Sequence, residues 1–356
     1  MSNHTKADEP GVYFVGSVPL ANSAAVMTAL IECFPSLPRI PDGETGERTN
    51  WIVFQEDAIA RIPGFHLVAG TQDARSPTMK RPHKGLYRFD PALTLDAASF
   101  GDLGYASAAI ASYADFKTLR AAGRIKPSTR YMVALPTPYN IVSFSIHPDS
   151  QAAVEPAYTA RLLAELDQIM AAVPHQDLSI QWDCVHDMQA FDGGRTAWFA
   201  PARPGIIERL VKLGNLVPKD VELGYHLCYG NYGGRHFVEP KSTAAMVELS
   251  NGVIAGLSRQ LDFLHMPVPI ERDDDAYFEP LVGLVRPSRM QLYLGLVHDR
   301  DGLAGTMRRF TAARRQIADF GIGTECGFGR RPAEDVPALL ALHAEVANAI
   351  GGSTAD

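Results

Sequence analysis

Short apolar runs recur along this chain, separated in several places by longer stretches of helical period, and that alternation most narrows the fold. The runs are VYFVGSV (12–18), LPRIP (37–41), YMVAL (131–135), LSIQWD (178–183), VELGYHLC (221–228), FLHMPVPI (263–270), MQLYLGLV (290–297) and FGIGTEC (320–326). Apolar runs of this length, bounded by turn residues, read as strands covered on both faces. The amphipathic stretches AYTARLLAELDQIMAAV, AAMVELSNGVIAGLSRQL and TMRRFTAARRQIADFG each precede a strand. Strand alternating with helix predicts an α/β fold with a parallel sheet, and eight such units favour a closed (β/α)8 TIM barrel over an open doubly wound sheet. Residues 42–130 are crowded with Pro, Gly and charge, which predicts an extended insertion between strands 2 and 3, over the barrel mouth. At 356 residues the chain suits one barrel. The expected organisation is a disordered polar tail over 1–10 and a single (β/α)8 catalytic domain over 11–352, with no internal repeat or low-complexity segment.

A hydrophobic content of 46% with 21% charged residues can build a core without disulfides. The four cysteines, Cys33, Cys184, Cys228 and Cys326, show no close pairing, as expected of a reduced cytoplasmic protein. The opening MSNHTKADEPG has no apolar stretch of the signal-peptide kind. No apolar run reaches the roughly 18 residues of a membrane span. With a net charge of −7 and scattered Lys and Arg, nucleic acid and anionic membranes are poor partners. Small molecules, and copies of the chain in a homo-oligomer, fit better.

A barrel places its chemistry at the C-terminal strand ends and in the loops that follow. The informative polar residues fall there. Ser17 ends the first expected strand, Asp42 and Glu44 follow the second, and Asp183 ends the fourth. His226 and Cys228 end the fifth, Glu271 follows the sixth, His298 follows the seventh, and Cys326 ends the eighth. Side chains two apart on a strand share a face, so His226 and Cys228 point to one spot. With Cys326 they form an N,S,S set, Glu271 being a possible fourth ligand, and two thiolates favour zinc over magnesium or calcium. The plainer alternative is that each cysteine packs as a small hydrophobe and the histidine is satisfied in the core. Tyr139, Asn140, Trp182 and Tyr229, also near strand ends, read as core or rim.

Six segments, in order along the chain, resemble the catalytic barrel of cobalamin-independent methionine synthase, within the wider group of zinc-dependent alkyl-to-thiol transferases. They are FVGSVP (14–19), DGETGERTNWIVF (42–54), LSIQWD (178–183), GYHLCYGNY (224–232), PIERDD (269–274) and ECGFGRR (325–331). The resemblance implies zinc held by His226, Cys228, Glu271 and Cys326. It also implies that Ser17, Glu44 and Asp183 hold the amino-acid end of a thiol substrate. Two carboxylates suit an ammonium, and a hydroxyl with an amide suits a carboxylate.

The implied reaction transfers a methyl or other alkyl group to a small thiol, activated as a zinc-bound thiolate, from a donor held over the mouth. His298, or less well Asp299, is the candidate general acid. The chain departs from the family in three places. Cys184-Val185-His186 follows Asp183 in place of Glu-Pro, Pro136-Thr137-Pro138 replaces a Thr-Gly-Pro turn, and His298-Asp299-Arg300 replaces Asp-x-His. These changes leave the donor open, with an epoxide as one alternative to folate. Two other functions compete: a metal-free lyase resembling uroporphyrinogen decarboxylase, with an arginine-lined pocket, and a non-catalytic zinc-binding protein.

Overall fold

The computed structural model describes residues 11–70, 83–230 and 236–353. The expected tail over 1–10 lies outside these residues, as do Asn231 and Tyr232 of the fifth expected strand's segment. In chain order the strands are β1 (Arg39–Pro41), β2 (Phe65–Leu67), β3 (Tyr87–Phe89), β4 (Arg130–Pro136), β5 (Leu178–Cys184), β6 (Glu222–Leu227), β7 (Phe263–Pro267), β8 (Gln291–Val297) and β9 (Phe320–Thr324). Seven of them form one parallel sheet in the order β1-β4-β5-β6-β7-β8-β9. β2 and β3 form a separate antiparallel pair.

The expected first strand, 12–18, does not form a ladder. It makes one parallel bridge, Val12 to Ile322 on β9, and the Val18 N–H donates to the Gly43 carbonyl just past β1 at 2.9 Å. The segment therefore touches both edges of the curled sheet. Its neighbour β1 is only three residues long and offers few partners for a ladder. Between β1 and β4 the chain runs through a 3-10 turn (Gly46–Asn50), a short helix (Gln55–Ala60), the β2–β3 pair and a long helix (Tyr105–Ala121).

Alternation along the strands sorts the side chains into two apolar groups. On β5, Leu178, Ile180, Trp182 and Cys184 pack with the helices in the larger core, while Ser179, Gln181 and Asp183 face the other way. A second, smaller cluster of Tyr13, Val15, Met132, Phe263 and Tyr293 fills the concave side. Gly224 on β6 leaves the space that the Phe263 ring occupies. The amphipathic stretches form helices at Pro148–Ala172, Ala244–Gly256 and Gly302–Gln316, as their period requires. Tyr139, Asn140, Trp182 and Tyr229 are all fully buried. Among the described residues no helix is long and apolar enough to cross a membrane.

Candidate metal centre

His226 faces the concave side of β6, and the period of two carries Cys228, just beyond the strand, to the same side. The Cys228 N–H donates to the Cys184 carbonyl at 3.1 Å, which keeps this extension in line with β5. The chain then turns at Gly230, whose φ of 85° is one that glycine adopts at little cost. The Gly230 N–H donates to Cys228 Sγ at 3.3 Å. Cys326 enters just past the end of β9. β7 and β8 lie between β6 and β9 in the sheet, so curvature, not pairing, brings the three residues together. One ligand atom from each of His226, Cys228 and Cys326 lies within 4.8 Å of the others.

The partners of these atoms are informative. Cys326 Sγ accepts from the Arg330 guanidinium at 3.2 Å. A hydrogen bond from the Cys228 thiol and the Arg330 charge hold the Cys326 thiol well below its ordinary value, against the effect of burial. Cys228, which gives that bond and is itself buried, is pushed well above. His226 Nδ1 lies 2.8 Å from Nδ1 of His265 on β7. His226 Nε2 is buried and has no hydrogen-bond partner. Leaving such an atom unmatched costs about 1–3 kcal/mol. An orphaned imidazole nitrogen beside two sulfurs, one favoured as thiolate, fits a thiophilic divalent ion of the zinc type.

Glu271 does not join this group. It is exposed on the turn after β7. The side chains of Arg309 and Arg308 fasten that turn to the outer helix by bonds to the Ile270 carbonyl at 2.8 Å and to Asp273 at 2.9 Å.

A cavity of about 60 Å³ adjoins the sulfurs, and Ser17, Glu44 and Asp183 line it together with His226, Cys228 and Cys326. Trp51, Ile52, Val53, Phe144 and Phe237 form its apolar wall. Glu44 sits at φ 44°, a left-handed conformation unusual outside glycine. Its N–H donates to Asp42 Oδ1 at 2.9 Å, and Asp42 is in turn paired with Arg48 at 2.6 Å. Gly16 leaves the space that Glu44 Oε1 occupies, and a side chain there would displace the carboxylate. Burial and the nearby Asp183 and Asp42 charges raise the Glu44 carboxyl well above its usual range, Arg48 opposing. Burial likewise raises Asp183 to about 6, although His226 and a 2.8 Å hydrogen bond from Gln181 pull it down. Ser17 Oγ accepts from the Gly329 N–H at 3.2 Å.

His298 and Asp299 do not line this cavity. His298 is buried with Nε2 against the Val268 carbonyl at 2.8 Å, and burial lowers its pKa. Asp299 pairs with Arg331 at 2.6 Å, which holds its carboxyl below the usual range despite partial burial. Three residues that sequence reasoning did not single out matter instead: His265, Gln181 and Arg330. His265 could have been found, since an inward-facing histidine in a buried strand at the same depth as His226 needs a partner. The two are register partners across β6 and β7.

No protein-family profile and no curated protein sequence matches the chain. Solved structures do resemble it. A Listeria monocytogenes protein assigned as a vitamin-B12-independent methionine synthase aligns over 95% of this chain and 99% of its own, with a TM-score of 0.55 and 11% identity. A B12-independent methionine synthase from Shewanella sp. W3-18-1, solved in complex with selenomethionine, aligns over 97% and 98%, with a TM-score of 0.56 and 13% identity. A methyltransferase from Methanosarcina mazei aligns over 95% and 94%, with a TM-score of 0.53 and 14% identity. At these identities the likeness is one of fold.

Proposed function

We propose that this chain is a zinc-dependent methyl- or alkyltransferase with a small thiol as acceptor, built on a single (β/α)8 domain over 11–352 that segment 12–18 closes. The observation that carries it is the buried His226–Cys228–Cys326 set, its Nε2 lone pair unclaimed, opening on a cavity with two protonation-prone acids. A zinc ion held by these three residues would supply thiol activation, lowering the pKa of a coordinated thiol so that it is thiolate at neutral pH. Everything else falls to the chain's own side chains.

Glu44 and Asp183 crowd two carboxylates together in a buried place, which favours a cation between them. An ammonium group answers that need, so the acceptor is an amino-acid-like thiol. The Shewanella neighbour's ligand, selenomethionine, is an amino acid with its chalcogen in the side chain and is consistent with this. Ser17 receives a hydrogen bond from Gly329, and its own hydroxyl hydrogen can serve the substrate carboxylate. The aromatic wall of Trp51, Phe144 and Phe237 would exclude water from the transferring group. His298 and Asp299 are engaged elsewhere, with the Val268 carbonyl and with Arg331. The expected setting is the cytoplasm, with the thiol and the alkyl donor as partners.

A metal-free lyase for an acidic substrate would need several arginines around the cavity. Among the described residues lining it the one arginine is Arg330, and it is bonded to Cys326. Elemental analysis of purified protein tests the proposal. About one zinc per chain is expected in wild type and almost none in Cys228→Ser. Wild type that stays metal-free after zinc is supplied would overturn it.

A further inference from the structure

The hydrogen bonds around His226 bear on where its proton sits, and they run through His265, which does not line the cavity beside the cysteines. His265 on β7 is fully buried, with Nε2 lying 3.0 Å from the Thr324 carbonyl oxygen. A carbonyl oxygen only accepts, so His265 Nε2 carries the hydrogen. An imidazole with its one hydrogen on Nε2 has none left for Nδ1, which is then an acceptor. That nitrogen faces His226 Nδ1 at 2.8 Å, and a hydrogen bond between two ring nitrogens needs one hydrogen. It must come from His226. With its hydrogen on Nδ1, His226 turns Nε2, the atom without a hydrogen-bond partner, toward the two cysteines.

We propose that His265 is a positioning residue that locks His226 into its Nδ1–H tautomer and aims Nε2 at the two cysteines, a role resting on the metal-site reading above. The lock is anchored at both ends. Thr324 lies two residues before Cys326, and its hydroxyl donates to the Cys326 carbonyl at 2.7 Å. One chain of bonds therefore runs from the Cys326 loop across β9 and β7 to His226. The Tyr13 ring stacks on His265 with centroids 5.4 Å apart and planes at 27°, which fixes the rotation of the imidazole. Tyr13 also donates its hydroxyl hydrogen to Gln181, whose amide donates to Asp183. The metal side and the acid side of the cavity thus lean on the same buried residues.

Two substitutions separate the lock from mere packing. His265→Gln keeps an amide N–H for Thr324 and a carbonyl oxygen for the His226 Nδ1–H. His265→Leu fills similar space and offers neither. With zinc alone as the probe, competition against a chromophoric chelator should show His265→Leu weakened about 10- to 100-fold, as for other residues that orient a metal ligand. His265→Gln should stay within roughly a few-fold of wild type. Equal affinity of the Leu variant and wild type would overturn the lock, as would a Gln variant that falls as far as Leu, each checked for folding by urea denaturation. Nitrogen-15 spectra of the metal-free wild type read the tautomer directly. A His226 bearing its hydrogen on Nε2 would sink the lock whatever the zinc result. Wild type that takes up no zinc, with His226 protonated on Nδ1, would sink the metal-site reading and with it the proposed role, while leaving the tautomer assignment intact.

Discussion

Both ends of the concave interior are lined with charge, but they are wired differently. Where the strands begin, Arg39 is saturated. It donates to Glu222 at 2.6 Å and to Gln291 at 2.7 Å, reaches the Tyr293 hydroxyl at 3.3 Å, and lies over the Phe263 ring at 4.1 Å. Glu222 also accepts from Ser179 at 2.7 Å. Where the strands end, burial and the nearby Asp183 raise the Glu44 carboxyl, burial raises Asp183, His226 Nε2 has no partner, and two sulfurs share one hydrogen bond. Saturation holds an element in place. Unsatisfied groups kept in register cost stability and persist where a ligand completes them. The same contrast between a stabilising and a reactive face is general to parallel α/β barrels.

The largest test of this contrast is at the saturated end. Arg39→Met strands Glu222 at the start of β6 with Arg130 as a more distant partner at 3.4 Å. Breaking a buried pair costs about 3–5 kcal/mol, and this one should fall near the lower figure. Urea denaturation should show that loss while zinc per folded chain stays at the wild-type level. Loss of zinc with no loss of stability would erase the distinction between the two ends.

The opposite sign is expected at the reactive end. Asp183 has a folded pKa of about 6 against an ordinary value of 3.8. A carboxyl raised in this way contributes stability that is whole below about pH 4 and is lost as pH rises through 6. Asp183→Asn removes the ionisation, so the metal-free variant should exceed metal-free wild type at neutral pH by on the order of 2–3 kcal/mol. The gain should vanish in acid. Equal denaturation midpoints at both pH values would mean that the acids are already satisfied.

The smallest effect sharpens the substrate side. Ser17→Ala removes one hydroxyl from the cavity, worth about 1 kcal/mol, or roughly fivefold in affinity. Calorimetric titration of the zinc-loaded protein with an amino-acid thiol should show it, and titration with a thiol lacking the amino-acid end should not. A loss equal for both thiols would remove Ser17 from substrate recognition.

Much of this was legible along the chain. The strand and helix rhythm was, because burial on a fixed period writes itself into consecutive residues. So was the shared face of His226 and Cys228, which depends only on the period of two. The first strand read as well as the others, yet it forms a single bridge, because pairing depends on the length of its neighbours. Glu271 followed a strand as the ligands do, but arginines on an outer helix hold its turn outward. Local pattern fixes which way a side chain faces. It carries no information on how far a sheet curls, and only that curl, together with the buried contacts of His265 and Arg330, decides that the ends of β6 and β9 meet.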